Sequence, residues 1–440
     1  MNPHRLLIAT DVPFWRKSTG AEQRISSLIR FLTSQSIVVR TFYLGQTGTG
    51  QFTDDDQRLI LNNSLDVQQR SSDQPPQGLT DKIGWYATAT LNQIRQLAGS
   101  RSSESAIGES PASLTLDDFR WPWAIKAFAE SVKEFQPDSV MIEYVKLSYL
   151  LEALSPQQRD STCCLVDTHD VLHVRCEQFR DNGFSHWIEI NRDEESRELA
   201  KFDVVMAIQS EEALLFQEMA PSAKTIVCGH VPESPKRLSN GKDSLASSGG
   251  QSTLRVGYLA STNWSNAQAI DSFLQKVWAP LVGDSKPNEF KLIVGGSICE
   301  FVDSKTQAIG FQKSPNIELL GRVNELATFY DSVDLVINPV EFGTGLKIKT
   351  AEALAFGIPV LTTVSGTAGL SIDFQLGQAE HNCPVLVCDS PEKFATELAS
   401  LANSATRLQE CSEAAKQLAK AAFSEQQAYS ALKQCLQDAR

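Results

Sequence analysis

The sequence predicts an α/β protein built from two doubly wound domains. Short apolar runs bounded by turn residues alternate with amphipathic segments through both halves of the chain. Pro232 to Ser252, PESPKRLSNGKDSLASSGGQS, breaks that alternation with a stretch rich in Pro, Ser and Gly, which reads as a linker. A length of 440 residues is enough for two separate cores.

In the N-terminal half, 5–10, 37–44, 139–143, 164–168, 204–209 and 225–228 read as buried strands, being short apolar runs rich in β-branched residues. Helical periodicity falls between them at 21–33, 123–134, 147–154, 195–201 and 211–218. In the C-terminal half the strands are 254–259, 291–294, 317–319, 335–338, 360–363 and 385–388. Helices at 267–278, 324–331, 351–356 and 392–402 separate them. Strands spaced by helices in this way call for parallel sheets, hence Rossmann-like domains at 1–231 and 253–423 with the linker 232–252 between them. Residues 46–116 form an insertion full of Ser, Gln, Asp and Gly, in which 82–97 has the pattern of one amphipathic helix. A last helical stretch occupies 424–440.

Composition excludes several classes of partner. The apolar share is 42% and the charged share 21%, as in globular proteins. A net charge of −13 opposes nucleic acid. The same charge opposes anionic lipid, and no apolar run has the length of a transmembrane segment, which leaves peripheral contact as the one membrane association open to the chain. The start, MNPHRLLIATD, reads as a first strand and is too short for a secretory signal. Nine cysteines, several within strands and none in a Cys-x-x-Cys pair, fit a cytoplasmic protein with buried thiols.

The richest segment is Asn338 to Leu370, NPVEFGTGLKIKTAEALAFGIPVLTTVSGTAGL. It reads as strand, glycine-rich loop, helix and strand, with Thr350 as N-cap and Gly357 followed by Pro359 closing the helix. Gly343 and Gly345 let the backbone turn tightly beside a ligand. A helix start turns N–H groups and the positive dipole end toward an anion, and Lys347 and Lys349 add two cations there. Glu352, placed in the first helical turn, offers a carboxylate to vicinal hydroxyls. Phosphate-binding and hydroxyl-binding groups together describe a nucleotide-sugar site.

This block resembles the donor-binding motif of the retaining glycosyltransferases of family 4, also called group 1, in the branch with Gly-Thr-Gly-Leu-Lys-x-Lys ahead of the glutamate. The resemblance implies a GT-B architecture: two Rossmann-like domains facing a cleft, 1–231 binding the acceptor and 253–423 the nucleotide-sugar donor, with the C-terminal helix crossing back to the N-terminal domain. It implies donor contacts from Gly343, Thr344, Gly345, Leu346, Lys347, Lys349 and Glu352. The first loop, with Gly20, is similar to the family's glycine-rich loop, although Thr19 replaces one of two adjacent glycines. His169, at the polar tip of a strand, matches a histidine that contacts the donor sugar, which makes it a catalytic candidate beside Lys349.

Two departures stand out. The loop Ser261 to Asn266 lacks the arginine and lysine that many members carry, leaving Asn263 as its phosphate donor. The family's first glutamate would fall on Thr344, so its catalytic role passes to Glu341 only through a reshaped loop. A competing metal reading groups His169, His173 and Cys176 at helical spacing, but no fourth ligand follows, and no metal is expected.

The resemblance thus implies a metal-independent hexosyl transfer from a nucleoside-diphosphate sugar to a glycan, lipid-linked or small-molecule acceptor, as in polysaccharide biosynthesis. No further cofactor is implied. A sugar-nucleotide epimerase and a non-catalytic binding protein share the fold and are the alternatives.

Overall fold

The computed structural model describes residues 3–17, 19–45, 53–69, 114–233, 253–284, 289–308, 316–343, 345–370 and 383–438. The expected helix at 82–97, most of the linker, and Thr344 lie outside them. Two compact units result: Met1–Val231 with Glu425–Arg440, and Pro232–Ser424.

In the first unit, β1 (Arg5–Thr10), α1 (Gly20–Ser34) and β2 (Val38–Tyr43) lead to α2 (Asp54–Asn62) and β3 (Val67–Gln69). Next come α3 (Pro122–Phe135), β4 (Ser139–Glu143), α4 (Pro156–Ser161), β5 (Cys163–Asp167), α5 (Leu172–Asp181) and α6 (Arg192–Leu199). β6 (Val204–Ala207), α7 (Ser210–Met219) and β7 (Lys224–Val227) complete the run. All seven strands are parallel, in the order β3-β2-β1-β4-β5-β6-β7. Strands β4 and β6 are buried along their whole length, as expected where helices cover both faces of a sheet.

Both α2 and β3 fall inside the stretch read as an irregular insertion, so the sheet has one strand more than the sequence suggested. Thr53 and Asp56 form a capping box at the start of α2. Asp56 then clasps the first loop, accepting from Trp15 Nε1 at 2.7 Å and from Arg16 Nε at 2.7 Å. Residues 147–154, expected as an α-helix, form a 3₁₀ segment, Val145–Ala153, whose Leu147, Leu150 and Leu151 are buried.

The second unit holds β8 (Leu254–Leu259), α8 (Trp264–Phe273), a π-turn at Leu274–Trp278, α9 (Ala279–Asp284), β9 (Phe290–Gly295), α10 (Cys299–Ala308) and β10 (Ile317–Gly321). α11 (Leu326–Ser332), β11 (Leu335–Asn338), α12 (Ile348–Ala355), β12 (Val360–Thr362) and β13 (Val385–Val387) follow, then α13 (Pro391–Ala402) and α14 (Ala405–Ala422). Its six strands are parallel in the order β10-β9-β8-β11-β12-β13.

The last helix, α15 (Glu425–Asp438), belongs to the first unit. Its Ala428, Tyr429, Leu432, Cys435 and Leu436 enter the core formed with α1, β1 and β7. Tyr429 Oη and Ser27 Oγ share a hydrogen bond of 2.6 Å, which satisfies both buried hydroxyls. The chain therefore returns to its first unit, as the resemblance implied.

Candidate functional site

Open parallel sheets bind ligands outside the carboxyl ends of their strands, where the strand order reverses. In the second unit that point lies between β8 and β11. The loops leaving these strands carry the segments singled out in the sequence.

Gly343 and Gly345 have φ of 118° and 76°, a region costly for any side-chain-bearing residue. Lys347 Nζ donates to the Gly343 carbonyl at 2.6 Å and closes the loop on itself. The half-buried Leu346 packs its side chain on the hydrophobic core. Helix α12 begins at Ile348, with Lys347 in the N-cap position and no side chain capping it. The N-cap Lys347 N–H donates to the Ala368 carbonyl at 3.1 Å, and the Thr350 N–H to the Lys347 carbonyl at 2.9 Å.

Thr350 is therefore inside the helix and does not cap it. It accepts from Asn338 Nδ2 at 3.0 Å and donates to the Gly366 carbonyl at 2.9 Å, joining the ends of β11 and β12. The early start also moves Glu352 out of the first turn. Glu352 is buried and accepts from Tyr330 Oη at 3.2 Å.

Lys349 spans the switch point. Its Nζ donates to Asn266 Oδ1 and stands 5.4 Å from the centroid of the Tyr258 ring. Asn266 is fixed in turn: its Nδ2 donates to the Ser261 carbonyl at 2.8 Å, and its own carbonyl accepts from Tyr258 Oη at 3.0 Å. Asn263, one turn earlier, caps α8 by accepting from the Asn266 N–H at 2.9 Å. Burial, with the Lys347 charge nearby, pushes the Lys349 ammonium down to about 7. A lysine held at this value gains from an arriving polyanion.

Glu341 is exposed, and its carbonyl accepts from Ser365 Oγ at 2.7 Å. It lines a cavity of about 310 Å³ with Phe273, Lys276, Val364, Ser365 and Asp389.

The switch point of the first unit lies between β1 and β4. Gly20 opens α1 there, behind the N-cap Thr19, whose side chain accepts from the Glu22 N–H at 3.3 Å. His169 is buried beyond the tip of β5 with φ of 61°, and its Nε2 is 2.6 Å from Glu143 Oε2. Its ring stacks on Tyr144, centroids 4.1 Å apart and 11° from parallel, and Tyr144 also has a positive φ, 65°. Two non-glycine residues in this region, stacked at adjacent strand ends, mark a site over-determined by its surroundings.

Beneath them Asp167 receives both Arg24 Nε and Nη2 at 2.8 Å, with both side chains excluded from solvent. Burial alone pushes the Asp167 carboxyl up, yet the Arg24 guanidinium holds it below the ordinary carboxylate range. Burial and the Asp167 charge push Glu143 the other way, upward.

His169, His173 and Cys176 do not converge. His173 Nδ1 is 2.7 Å from Glu195 Oε2, and Cys176 Sγ donates to the Ile188 carbonyl at 3.0 Å. Among the described residues, Glu143, Asp167 and His169 are the group whose atoms approach closely enough for a cation. A cation there would have to compete with Arg24 for both Asp167 oxygens.

The sequence reading missed Asn266, Glu143 and Arg24. Asn266 gave a faint signal, a second amide three residues after the cap. Glu143 gave another, a lone charge closing an apolar strand.

Residues 253–404 match the family model described as Glycosyl transferases group 1. No curated protein matches. Many solved structures are similar, and three of them illustrate a likeness that runs along nearly the full length of both chains. Anabaena HepE, solved with UDP and glucose, is 14% identical with a TM-score of 0.62, covering 99% of this chain and 100% of that one. Sucrose-phosphate synthase of Thermosynechococcus elongatus is 11% identical with a TM-score of 0.64, at 99% and 98% coverage. The pneumococcal O-GlcNAc transferase GtfA, solved with UDP and GlcNAc, is 12% identical with a TM-score of 0.61, at 100% and 99%. The fold is GT-B, and together with the family match it supports a glycosyltransferase. No helix among the described residues is long and apolar enough to cross a membrane.

Proposed function

We propose that the chain is a retaining, metal-independent glycosyltransferase of family 4, in the Gly-Thr-Gly-Leu-Lys-x-Lys branch. Its donor is a nucleoside-diphosphate sugar held at the switch point of the second unit. The observation that carries this reading is Lys349, seated on Asn266 between the two switch-point loops and depressed to about 7 by burial. A diphosphate there receives the Lys349 ammonium and the start of α12, with Gly343, Gly345, Leu346, Lys347 and Asn263 assigned beside it and Thr344 assigned from the sequence alone. Lys349 supplies the charge missing from the Ser261 loop.

The bond from the anomeric carbon to the diphosphate breaks as the acceptor oxygen bonds to that carbon on the same face. The acceptor's proton passes to the departing phosphate oxygen. Charge grows on the diphosphate in the oxocarbenium-like transition state, and fixed cations stabilise it there more than in the bound donor. His169, oriented by Glu143, and Glu341 serve the transferred sugar, and Gly20 serves the donor phosphates. The acceptor is a glycan, a lipid-linked sugar or a small molecule, consistent with polysaccharide biosynthesis in the cytoplasm. Nine cysteines present as thiols agree with a reducing compartment.

Incubation with radiolabelled nucleotide sugars tests the reading, beginning with uridine donors because HepE and GtfA were solved with UDP. Transfer or slow donor hydrolysis is expected, and should survive EDTA almost unchanged. An epimerised donor, or no turnover at all, contradicts glycosyl transfer. Activity lost to EDTA and restored by magnesium or zinc contradicts metal independence.

Glu352 is assigned to the ribose hydroxyls. Hydrogen bonds to a charged group contribute about 1.5–3 kcal/mol, so Glu352→Gln should lower nucleotide affinity by roughly one to two powers of ten. An unchanged dissociation constant in a folded variant would leave Glu352 as the buried partner of Tyr330 only.

A further inference from the structure

Two cysteines far apart in the chain meet at the amino end of the first unit's sheet. Successive side chains of β5 point to opposite faces: Cys164 and Val166 join the core on one side, Cys163 and Leu165 the core on the other. That second core is closed by α15, whose inward stripe ends in Cys435 and Leu436. Ala428 lies against Gly229, beyond the carboxyl end of β7, so α15 runs back toward the strand starts. Cys163 is the first residue of β5, and its S–H donates to the Cys435 sulfur. Cys435 is 5% exposed, whereas Cys163 is only partly covered, and Asp203 and Lys224 at the neighbouring strand starts are exposed. Glu143 and His169 lie toward the opposite, carboxyl ends of these strands.

Other thiols of the chain are poorly suited to reaction. Burial pushes Cys164, Cys228 and Cys388 up to about 12 and Cys411 up to about 11, so these four stay protonated. Cys435 goes the other way. The hydrogen bond from Cys163, aided by the Lys224 charge, outweighs burial and brings it down to about 7. A thiolate at neutral pH in contact with a protonated thiol is the arrangement in which one sulfur reacts and the other resolves.

We propose that Cys163 and Cys435 are a reversible disulfide pair, closed by a peroxide and reopened by a dithiol. The Cys435 thiolate attacks one peroxide oxygen, forming S–O and breaking O–O, and the departing hydroxide takes up a proton to become water. The Cys163 sulfur then displaces the hydroxyl from Cys435, forming S–S, while its own proton leaves with that oxygen as a second water. Two electrons pass from the thiols to the peroxide. A dithiol reverses the change by exchange, its own sulfurs taking up the oxidation. The bond fastens α15, the helix that returns to this unit, to the start of β5.

The test treats the full, reduced chain with stoichiometric hydrogen peroxide, then alkylates, digests and reads it by mass spectrometry. A Cys163–Cys435 peptide should dominate and should vanish on adding dithiothreitol. This readout is made on the parent chain and stands even if a variant fails to fold. The linked peptide should be missing from Cys163→Ser and from Cys435→Ser. Its rate of formation should rise about tenfold from pH 6 to pH 8 and then level, whereas an ordinary thiol would rise roughly eightyfold and keep rising. The oxidised chain should melt about 5–10 °C above the reduced one. Cross-linking of Cys435 to Cys228, over-oxidation of Cys435 with Cys163 still free to alkylate, or no reaction at either residue overturns the pair. An unchanged melting temperature in the cross-linked chain overturns the fastening of α15.

Discussion

Replacing Lys349 by alanine is expected to lower kcat by about 10²–10³, with a smaller rise in KM for the nucleotide sugar. The magnitude is that of removing one preorganised donor from a developing negative charge. Three features place Lys349 ahead of Lys347. It lies within the first turn of α12, it spans the switch point to Asn266, and burial has already lowered its affinity for protons. Lys347 instead spends its ammonium on the Gly343 carbonyl. Its alanine variant should lose less in kcat, and what it loses should come through a looser loop. Steady-state kinetics on both variants check this. If both turn over at the parent rate, the diphosphate is held elsewhere.

The largest expected effect on stability is at Asp167. Asp167→Asn keeps the shape but leaves the Arg24 guanidinium excluded from solvent without a counter-charge. Breaking a buried pair from one side costs roughly 3–5 kcal/mol, because the remaining charge keeps its desolvation penalty. The pH dependence has a definite sign. Asp167 titrates lower in the folded chain than in the unfolded one, so its contribution is complete above the ordinary carboxylate range and is lost as pH falls through the folded value. Urea denaturation of both proteins should therefore give the full difference at pH 7 and a shrinking one below about pH 4. A difference under about 1 kcal/mol at pH 7 would mean that water reaches Arg24 after the change.

Strands were legible because parallel strands covered on both faces are continuous apolar runs, and Leu254–Leu259 or Ser139–Glu143 can hardly be read otherwise. Helix α2 was less visible, since Asp54, Asp55 and Asp56 look like loop residues until Asp56 is seen to meet Trp15 and Arg16, about forty positions away. The cap of α12 was misread for a related reason. Thr350 has good cap chemistry, but the positive φ at Gly345 brings the chain into the helix before it. The partners of the candidate residues were the least legible. Asn266 is 83 positions from Lys349 and Glu143 is 26 from His169, and only the strand order brings each pair together. Motif residues announced which chemistry the chain carries, while the topology decided which neighbours tune it.

The central claim, that Lys349 meets the diphosphate, is tested most directly by the proton linkage of nucleotide binding. The lysine near 7 is largely neutral at pH 8, and a bound diphosphate would draw a proton onto it. Calorimetric titration of nucleoside diphosphates in buffers of different ionisation enthalpy should therefore report uptake approaching one proton at pH 8, falling toward none at pH 6. Affinity should weaken as pH rises through this window, and Lys349→Met should abolish the uptake. Nucleotide binding with no proton uptake at pH 8, or uptake that persists in Lys349→Met, would contradict the account.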